Sequence, residues 1–203
     1  MKTLKKSFRK IGILGGTFDP PHIGHLEIAK FAIKKLGLSK LIWSVTKKNP
    51  LKQKSSMTLK NRIILSRIIS KNLKKIEVKS FDNLIKSSKT IKLIEYIARN
   101  NKGSKIFFLM GSDNLTNFHK WHQWKKIASL CKITVFPRTG FMKQVLTCKA
   151  LNSLEKILVN QASKFNPNVI TIMSNRNSTM YDSYITSAVA TDIIKSKFDL
   201  FLY

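Results

Sequence analysis

Short runs of β-branched and aromatic residues recur along this chain, at 11–14, 41–45, 76–78, 106–110, 133–136 and 169–173, with longer amphipathic stretches between them. Bounded mostly by Lys, Asn, Pro or Gly, the short runs read as buried strands. The stretches 23–36, 58–69, 90–98 and 121–130 repeat apolar residues at three and four, as helices do, and Leu26, Ala29, Ile33 and Leu36 illustrate the spacing. Strand and helix alternating at intervals of about thirty residues imply parallel pairing through right-handed crossovers. The expected fold is therefore α/β, a doubly wound and mostly parallel sheet. Such sheets bind ligands at the carboxyl ends of their strands. The segments after Leu14, Val45, Ser80, Met110, Phe136 and Met173 should then share one rim. A chain of 203 residues, 43% of them hydrophobic, can bury one sizeable core. That predicts a single domain over 1–203, with a basic arm at 1–10 and a less determined part over 139–203. The stretch from 138 to about 150 reads as a loop, and 183–203 as a helix and tail.

Charge is the second strong feature. Lys and Arg number 38 against 10 Asp and Glu, a formal net charge of +28, and no acidic residue falls between Ile28 and Ile76. A field of that sign attracts nucleic acid, anionic membranes or phosphorylated small molecules. The lysines are scattered, however, and no RNP pattern, zinc finger or basic heptad accompanies them. The same bias arises in a chain simply rich in Lys, Asn and Ile, so charge alone does not identify a partner, and a nucleic-acid partner is not expected. Cys131 and Cys148 form no CxxC and read as reduced thiols. The basic start imitates a signal peptide, but its apolar part runs into Asp19, Pro20 and Pro21 without a small-residue cleavage site. No window reaches the ~18 uninterrupted apolar residues of a bilayer span. A cytoplasmic location without membrane contact is the expectation.

Directly after the first strand comes Gly15-Gly16-Thr17-Phe18-Asp19-Pro20-Pro21-His22-Ile23-Gly24-His25, and then a helix. Two glycines at a strand end let the backbone turn tightly and bring amides close to a ligand. The segment is neither a Walker A loop nor the GxGxxG fingerprint. Its specific part is the His22 and His25 pair, three apart in a first helical turn, beside amides that already favour negative charge. Such a cage of donors suits phosphoryl oxygens and the charge that grows on them during a displacement. The alternative is that both rings only cap and pack the turn. All four histidines fall in two His-x-x-His pairs, the second being His119 and His122, but no ligating Cys or carboxylate joins either pair. A protein-held metal is not expected, whereas Mg²⁺ carried in on a nucleotide's phosphates is.

GGTFDPPHIGH closely resembles the signature of the nucleotidyltransferases with a Rossmann-like fold, and PPHxGH in particular that of the bacterial nicotinate-nucleotide adenylyltransferase family. Further resemblances follow in order. Asn49-Pro50-Leu51-Lys52 is similar to the family's Pro-Pro-His-Lys loop, keeping the lysine but not the histidine. Ser88-Lys89-Thr90 is similar to a Ser-Tyr-Thr whose threonine contacts the pyridine side of the substrate. Gly111-Ser112-Asp113 resembles the Gly-Ala-Asp that meets the nucleotide, and Trp121 in 118–124 falls where a stacking tryptophan is expected. The late motif Ile-Ser-Ser-Thr-x-Ile-Arg has its best counterpart at 176–182, where Ser178 and Thr179 match but Asp182 stands at the arginine's place. Read as residues alone, Lys52 could be one of many surface lysines. Trp121 and Trp124 could both be core, and Thr90 and Asp113 could be helix N-caps.

The resemblance implies transfer of the adenylyl group of ATP to nicotinate mononucleotide, giving deamido-NAD and pyrophosphate. It implies His22 and His25 as catalytic residues, and Gly15, Gly16, Thr17, Phe18, Gly111, Asp113, Ser178 and Thr179 on the ATP side. Lys52, Thr90 and Trp121 are implied on the acceptor side. The implied partners are ATP with Mg²⁺ and nicotinate mononucleotide; oligomerisation is left open. The alternatives are the same chemistry on nicotinamide mononucleotide or another phosphorylated acceptor, and a non-enzymatic basic nucleic-acid binder on the same fold.

Overall fold

The computed structural model describes residues 8–49, 55–136, 147–153, 155–158 and 169–172. Its centre is β1 (Lys10–Gly16), whose residues Ile11 to Leu14 are all buried, as befits a strand covered on both faces. The chain continues through α1 (Ile23–Leu36), β2 (Lys40–Val45), α2 (Leu59–Ser70), β3 (Ile76–Lys79), α3 (Thr90–Asn100) and β4 (Lys105–Gly111). Then follow α4 (Ser112–Thr116), a 3₁₀ turn at Phe118–Lys120, α5 (Trp124–Leu130), β5 (Lys132–Phe136), α6 (Lys149–Ser153), β6 (Glu155–Leu158) and β7 (Val169–Ile172). The strands form one seven-stranded sheet in the order β3-β2-β1-β4-β5-β7-β6. Every neighbouring pair is parallel.

The period-two alternation of the strands divides the core between the two faces. On one face Ile11, Ile13, Ile106, Phe108 and Met110 pack with Ile91, Ile94 and Ile97 of α3 and Ile127 of α5. On the other, Leu14, Leu41, Trp43, Phe107 and Leu109 pack with Ala29, Ala32 and Leu36 of α1. Local chemistry sets the helix ends. Thr58 caps α2 by accepting from the Asn61 N–H at 3.2 Å. Gly37, at φ 63°, ends α1 in the left-handed region that a side chain disfavours, and the Leu38 N–H returns to the Ile33 carbonyl at 3.1 Å.

The strand order reverses at β1: the chain leaves it toward β2 on one side and later returns to β4 on the other. That crevice is where a doubly wound sheet offers a ligand site. All six expected strands are present, in parallel, and β6 is an addition that its short Glu-Lys-Ile-Leu sequence did not announce. Three expectations need correction. The stretch 121–130 is not one helix, because Trp121 is extended and Gln123 sits at φ 54°, so α5 begins only at Trp124. The helix after β4 that Asp113 could have capped, α4, starts earlier, at Ser112 with Gly111 as its N-cap. The loop expected to about 150 gives way to α6 at Lys149, while 137–146 and 183–203 lie outside the described residues. No helix among the described residues is long and apolar enough to cross a membrane.

Candidate active site

At the carboxyl ends of β1, β2 and β4 a cleft of about 850 Å³ opens. Gly15, Gly16, Thr17, Phe18, His22, His25, Thr90, Gly111, Asp113 and Trp121 all line it. Every expected site residue within the described part of the chain is therefore gathered around one space. Lys52, Ser178, Thr179 and also Asp182 lie outside the described residues.

The loop after β1 is built differently from the expectation. Gly15 and Gly16 do not make the turn, since both are still extended strand, in register with Ser44 and Val45 of β2. The turn residue is Phe18, at φ 52°. A bulky residue in that region is strained and persists only where its surroundings hold it. The Phe18 ring is buried, 5.1 Å between centroids from Trp43 and edge-on to His25 at 4.9 Å. A Cβ on Gly16 would stand 3.2 Å from the ring's Cζ, so the glycine clears the space that Phe18 occupies.

His22 is the N-cap of α1 and His25 is its third helical residue. Their rings stack with centroids 3.7 Å apart and planes 34° from parallel. The His22 N–H donates to His25 Nδ1 at 3.2 Å, and the His25 N–H donates to the His22 carbonyl at 3.0 Å. Nδ1 of His25 accepts that N–H, so Nε2 is the donor position of the ring in its neutral form, and the ring lines the cleft. No acidic residue occupies the first turn of α1, so the positive end of the helix is not neutralised there.

Across the cleft Trp121 is half-buried, edge-on to Phe108 at 6.0 Å and to Phe118 at 5.4 Å. Trp124 packs on Phe118 separately, at 5.8 Å, so the two tryptophans are not neighbours on one helix face. Thr90 is the first residue of α3 rather than its cap, which is Lys89. Asp113 likewise lies inside the first turn of α4, with Gly111 as the N-cap. Asp113 folds back so closely that a Cβ on Gly111 would collide with its Oδ1.

Beneath the rim lies a polar network that the sequence reading missed. Arg62 of α2 is 2% exposed. Its Nη1 donates to the carbonyls of Thr17 at 2.5 Å and Thr46 at 2.8 Å, its Nε to Met57 at 3.2 Å and its Nη2 to Lys47 at 3.4 Å. Burial lowers its pKa, and the charges of Asp19 and Asp82 act in the opposite sense. Asp19 accepts from the main-chain N–H groups of Ser56 and Met57 and from the Ser56 hydroxyl. Asp82 Oδ2 accepts from Thr46 Oγ1 at 2.8 Å, the Lys47 N–H at 2.7 Å and Ser88 Oγ at 2.6 Å. The available signal was positional: residue 62 falls at helical spacing with the buried Leu65 and Ser66. A cation there had to be a buried one.

The carboxylates around the cleft do not form a metal cage. Among the described residues no group of three or more His, Cys, Asp or Glu could hold an ion, and Asp19 and Asp82 are occupied by N–H and O–H donors. His119 lies in the 3₁₀ turn, and His122 is exposed and lines the same cleft as His22 and His25.

Comparison with known proteins agrees with this geometry. The family described as cytidylyltransferase-like matches residues 13–181. A Pelagibacter ubique protein named "Probable nicotinate-nucleotide adenylyltransferase" is 45% identical over 174 residues, spanning 85% of this chain and 94% of that protein. A Rhizobium meliloti protein of the same name is 40% identical over 64% of this chain and 69% of its own length. In fold, the chain is similar to Plasmodium falciparum nicotinic acid mononucleotide adenylyltransferase complexed with APC, at TM-score 0.61 and 17% identity over 85% of this chain and 79% of that one. The same enzyme complexed with NaAD gives TM-score 0.60 and 17% identity over 93% and 89%. A parallel sheet with its cleft at the β1–β4 crevice, a paired-histidine entry to α1 and this degree of identity along nearly all of a relative's length lead to one assignment: the chain belongs to the cytidylyltransferase-like family and, within it, to the nicotinate-nucleotide adenylyltransferases, so it is a nucleotidyltransferase.

Proposed function

We propose that this chain transfers the adenylyl group of ATP to nicotinate mononucleotide, giving deamido-NAD and pyrophosphate. The observation that carries the reading is the sharing of one cleft by two unlike walls. Stacked His22 and His25 at an un-neutralised helix start form one wall, and Trp121 with Thr90 forms the other. The first suits a polyphosphate and the second a flat pyridine nucleotide.

The acceptor's phosphate oxygen attacks the α-phosphorus of ATP in line. A new P–O bond forms as the bond to the bridging oxygen breaks, and pyrophosphate leaves without a covalent enzyme intermediate. Catalysis is then positioning and charge stabilisation. The Nε2–H of His25, the His22 ring and the α1 amides donate to phosphate oxygens as negative charge shifts to the leaving group. Gly15, Gly16, Thr17 and Phe18 form the floor under the nucleotide, and Gly111 and Asp113 meet its ribose. Ser178 and Thr179 line the ATP side, and Lys52 adds positive potential toward the acceptor. Mg²⁺ carried in on ATP would neutralise part of the triphosphate charge, and Asp19 and Asp82, already engaged by protein donors, leave such an ion to be brought by the nucleotide. We place the reaction in the cytoplasm, with 1–203 acting as one domain.

The test is to incubate the chain with ATP, Mg²⁺ and, in turn, nicotinate mononucleotide, nicotinamide mononucleotide and phosphopantetheine, and to follow pyrophosphate release. Nicotinate mononucleotide should support the highest kcat/KM. Release only with another acceptor would remove the substrate assignment while keeping the chemistry. Steeply salt-dependent nucleic-acid binding without any release would favour the binder instead.

A further inference from the structure

We propose that Arg62 is a positioning residue for adenylyl transfer: its buried fork, continued through Thr46 and Asp82 to Ser88, fixes the distance between the histidine-bearing loop and the start of α3. The inference rests on the reaction proposed above, and it concerns residues that contact each other rather than the reacting atoms.

The chain of contacts is continuous. Arg62 Nη1 donates to both the Thr17 carbonyl, one residue before Phe18, and the Thr46 carbonyl, one residue past the end of β2. Thr46 Oγ1 then donates to Asp82 Oδ2, which also receives the Ser88 hydroxyl, two residues before Thr90. One end of the path abuts the floor under the nucleotide, and the other abuts the wall for the acceptor. Asp19, in the same loop as Phe18, holds Ser56 and Met57, whose carbonyl takes Nε of Arg62. The loop after β1 is thus tied to the segment entering α2 from two sides.

The energetics argue against a bland role. A buried guanidinium that bonds only neutral carbonyls is costly to desolvate, and an apolar residue in its place would often be neutral or stabilising. The stretch between Ile28 and Ile76 offers no acid, and the compensating charges come from Asp19 and Asp82 on other loops. Such a residue makes physical sense for what it holds. Here it holds the Thr17 carbonyl, on the peptide that leads into Phe18 at φ 52°, in the loop that precedes His22, the N-cap of α1. In-line transfer depends steeply on such placement, and a shift of about 1 Å can cost about a hundredfold in rate. Only a planar fork reaches carbonyls of three segments at once; lysine offers a point charge.

The experiment compares the full chain with Arg62→Lys, Asp82→Asn and the double variant. It measures kcat and KM for both substrates together with folded fraction by circular dichroism and thermal melting. Arg62→Lys keeps the positive charge and breaks the bridge. Expected is a kcat per folded molecule at least tenfold lower, with the KM values moving less than kcat, and a double variant losing little more than the worse single one because both cut the same path. A merely structural arginine would lower the melting temperature and leave kcat per folded molecule within twofold of the parent, and that result overturns the proposal. Should Arg62→Lys fail to fold, Asp82→Asn carries the test: a cooperative melt with kcat down at least fivefold supports it, and unchanged kcat overturns it. Both ratios are read on whichever acceptor the parent chain uses, so a failed substrate assignment and a failed positioning role give different results.

Discussion

On the wall of the cleft that carries His22 and His25, backbone and side chains are held by directed polar contacts: the Arg62 fork on Thr17, the Asp19 clasp on Ser56 and Met57, and a phenylalanine kept at positive φ. On the wall that carries Trp121, support is aromatic and partly open to solvent, with a half-buried indole resting its edge on Phe108 and Phe118 and an exposed Lys89 capping α3. Hydrogen bonds to carbonyls fix direction and distance, whereas ring edges fix little beyond contact. The contrast matches the two tasks proposed for these walls. Charge that appears only in the transition state must be met by donors already in place. A pyridine nucleotide needs only to be recognised.

The comparison breaks most visibly at the histidines. His25→Ala and His22→Ala should each lower kcat by about a hundredfold or more, the scale of losing a preorganised donor. If steady-state assays show KM rising while kcat stays intact, the transition state is not met on that wall. Trp121→Ala should act in the other register. A roughly tenfold rise in KM for the acceptor, about 1.4 kcal/mol of lost stacking, is expected with the KM for ATP nearly unchanged. An equal rise for both substrates would merge the two walls into one. Gly111→Ala would force Asp113 aside and, by the loss of one hydrogen bond, should raise the KM for ATP about threefold. Unaltered ATP kinetics would take Asp113 off the nucleotide.

The smallest effect lies outside both walls. Lys40 and Lys79 hydrogen-bond Glu77 and hold its pKa below the ordinary 4.5, burial opposing them. A carboxylate depressed in the folded state adds stability that is present above the ordinary value and fades as pH falls through the folded one. Since the pair is partly exposed, the sum is less than about 1 kcal/mol. Glu77→Gln should flatten the acid limb of a melting-temperature profile slightly and leave kcat untouched; a changed kcat would mean that the cleft senses the far side of the sheet.

The strands and the location of the site were legible because both depend on patterns that neighbours in sequence reveal. Short, fully apolar runs such as 106–110, bounded by polar residues and glycine, suit a strand covered on both faces, and a strand end followed by GGTFDPPHIGH belongs on the ligand-bearing rim. What stayed hidden depends on partners distant in sequence. Arg62 reads as one cation among 38 until the carbonyls of Thr17 and Thr46 arrive beside it. Asp82 gives no local sign that it will gather three donors. Phe18 could not be named as the turn residue from two preceding glycines, since glycine is the cheaper choice and packing against Trp43 and His25 overrules it. Trp121 to Leu130 kept a helical period although Gln123 turns the chain, because spacing alone does not register a positive φ.

A sheet whose neighbours are joined only by crossovers brings Gly15, Thr90 and Trp121 to one opening from places far apart along the chain. A nucleotide seated there would staple together loops that come from distant parts of the chain. Saturating ligand at a hundred times its Kd would add about 2.7 kcal/mol to the unfolding free energy. Heat resistance of the native protein, scanned against candidate nucleotides, then reports occupancy of the opening without any turnover at all.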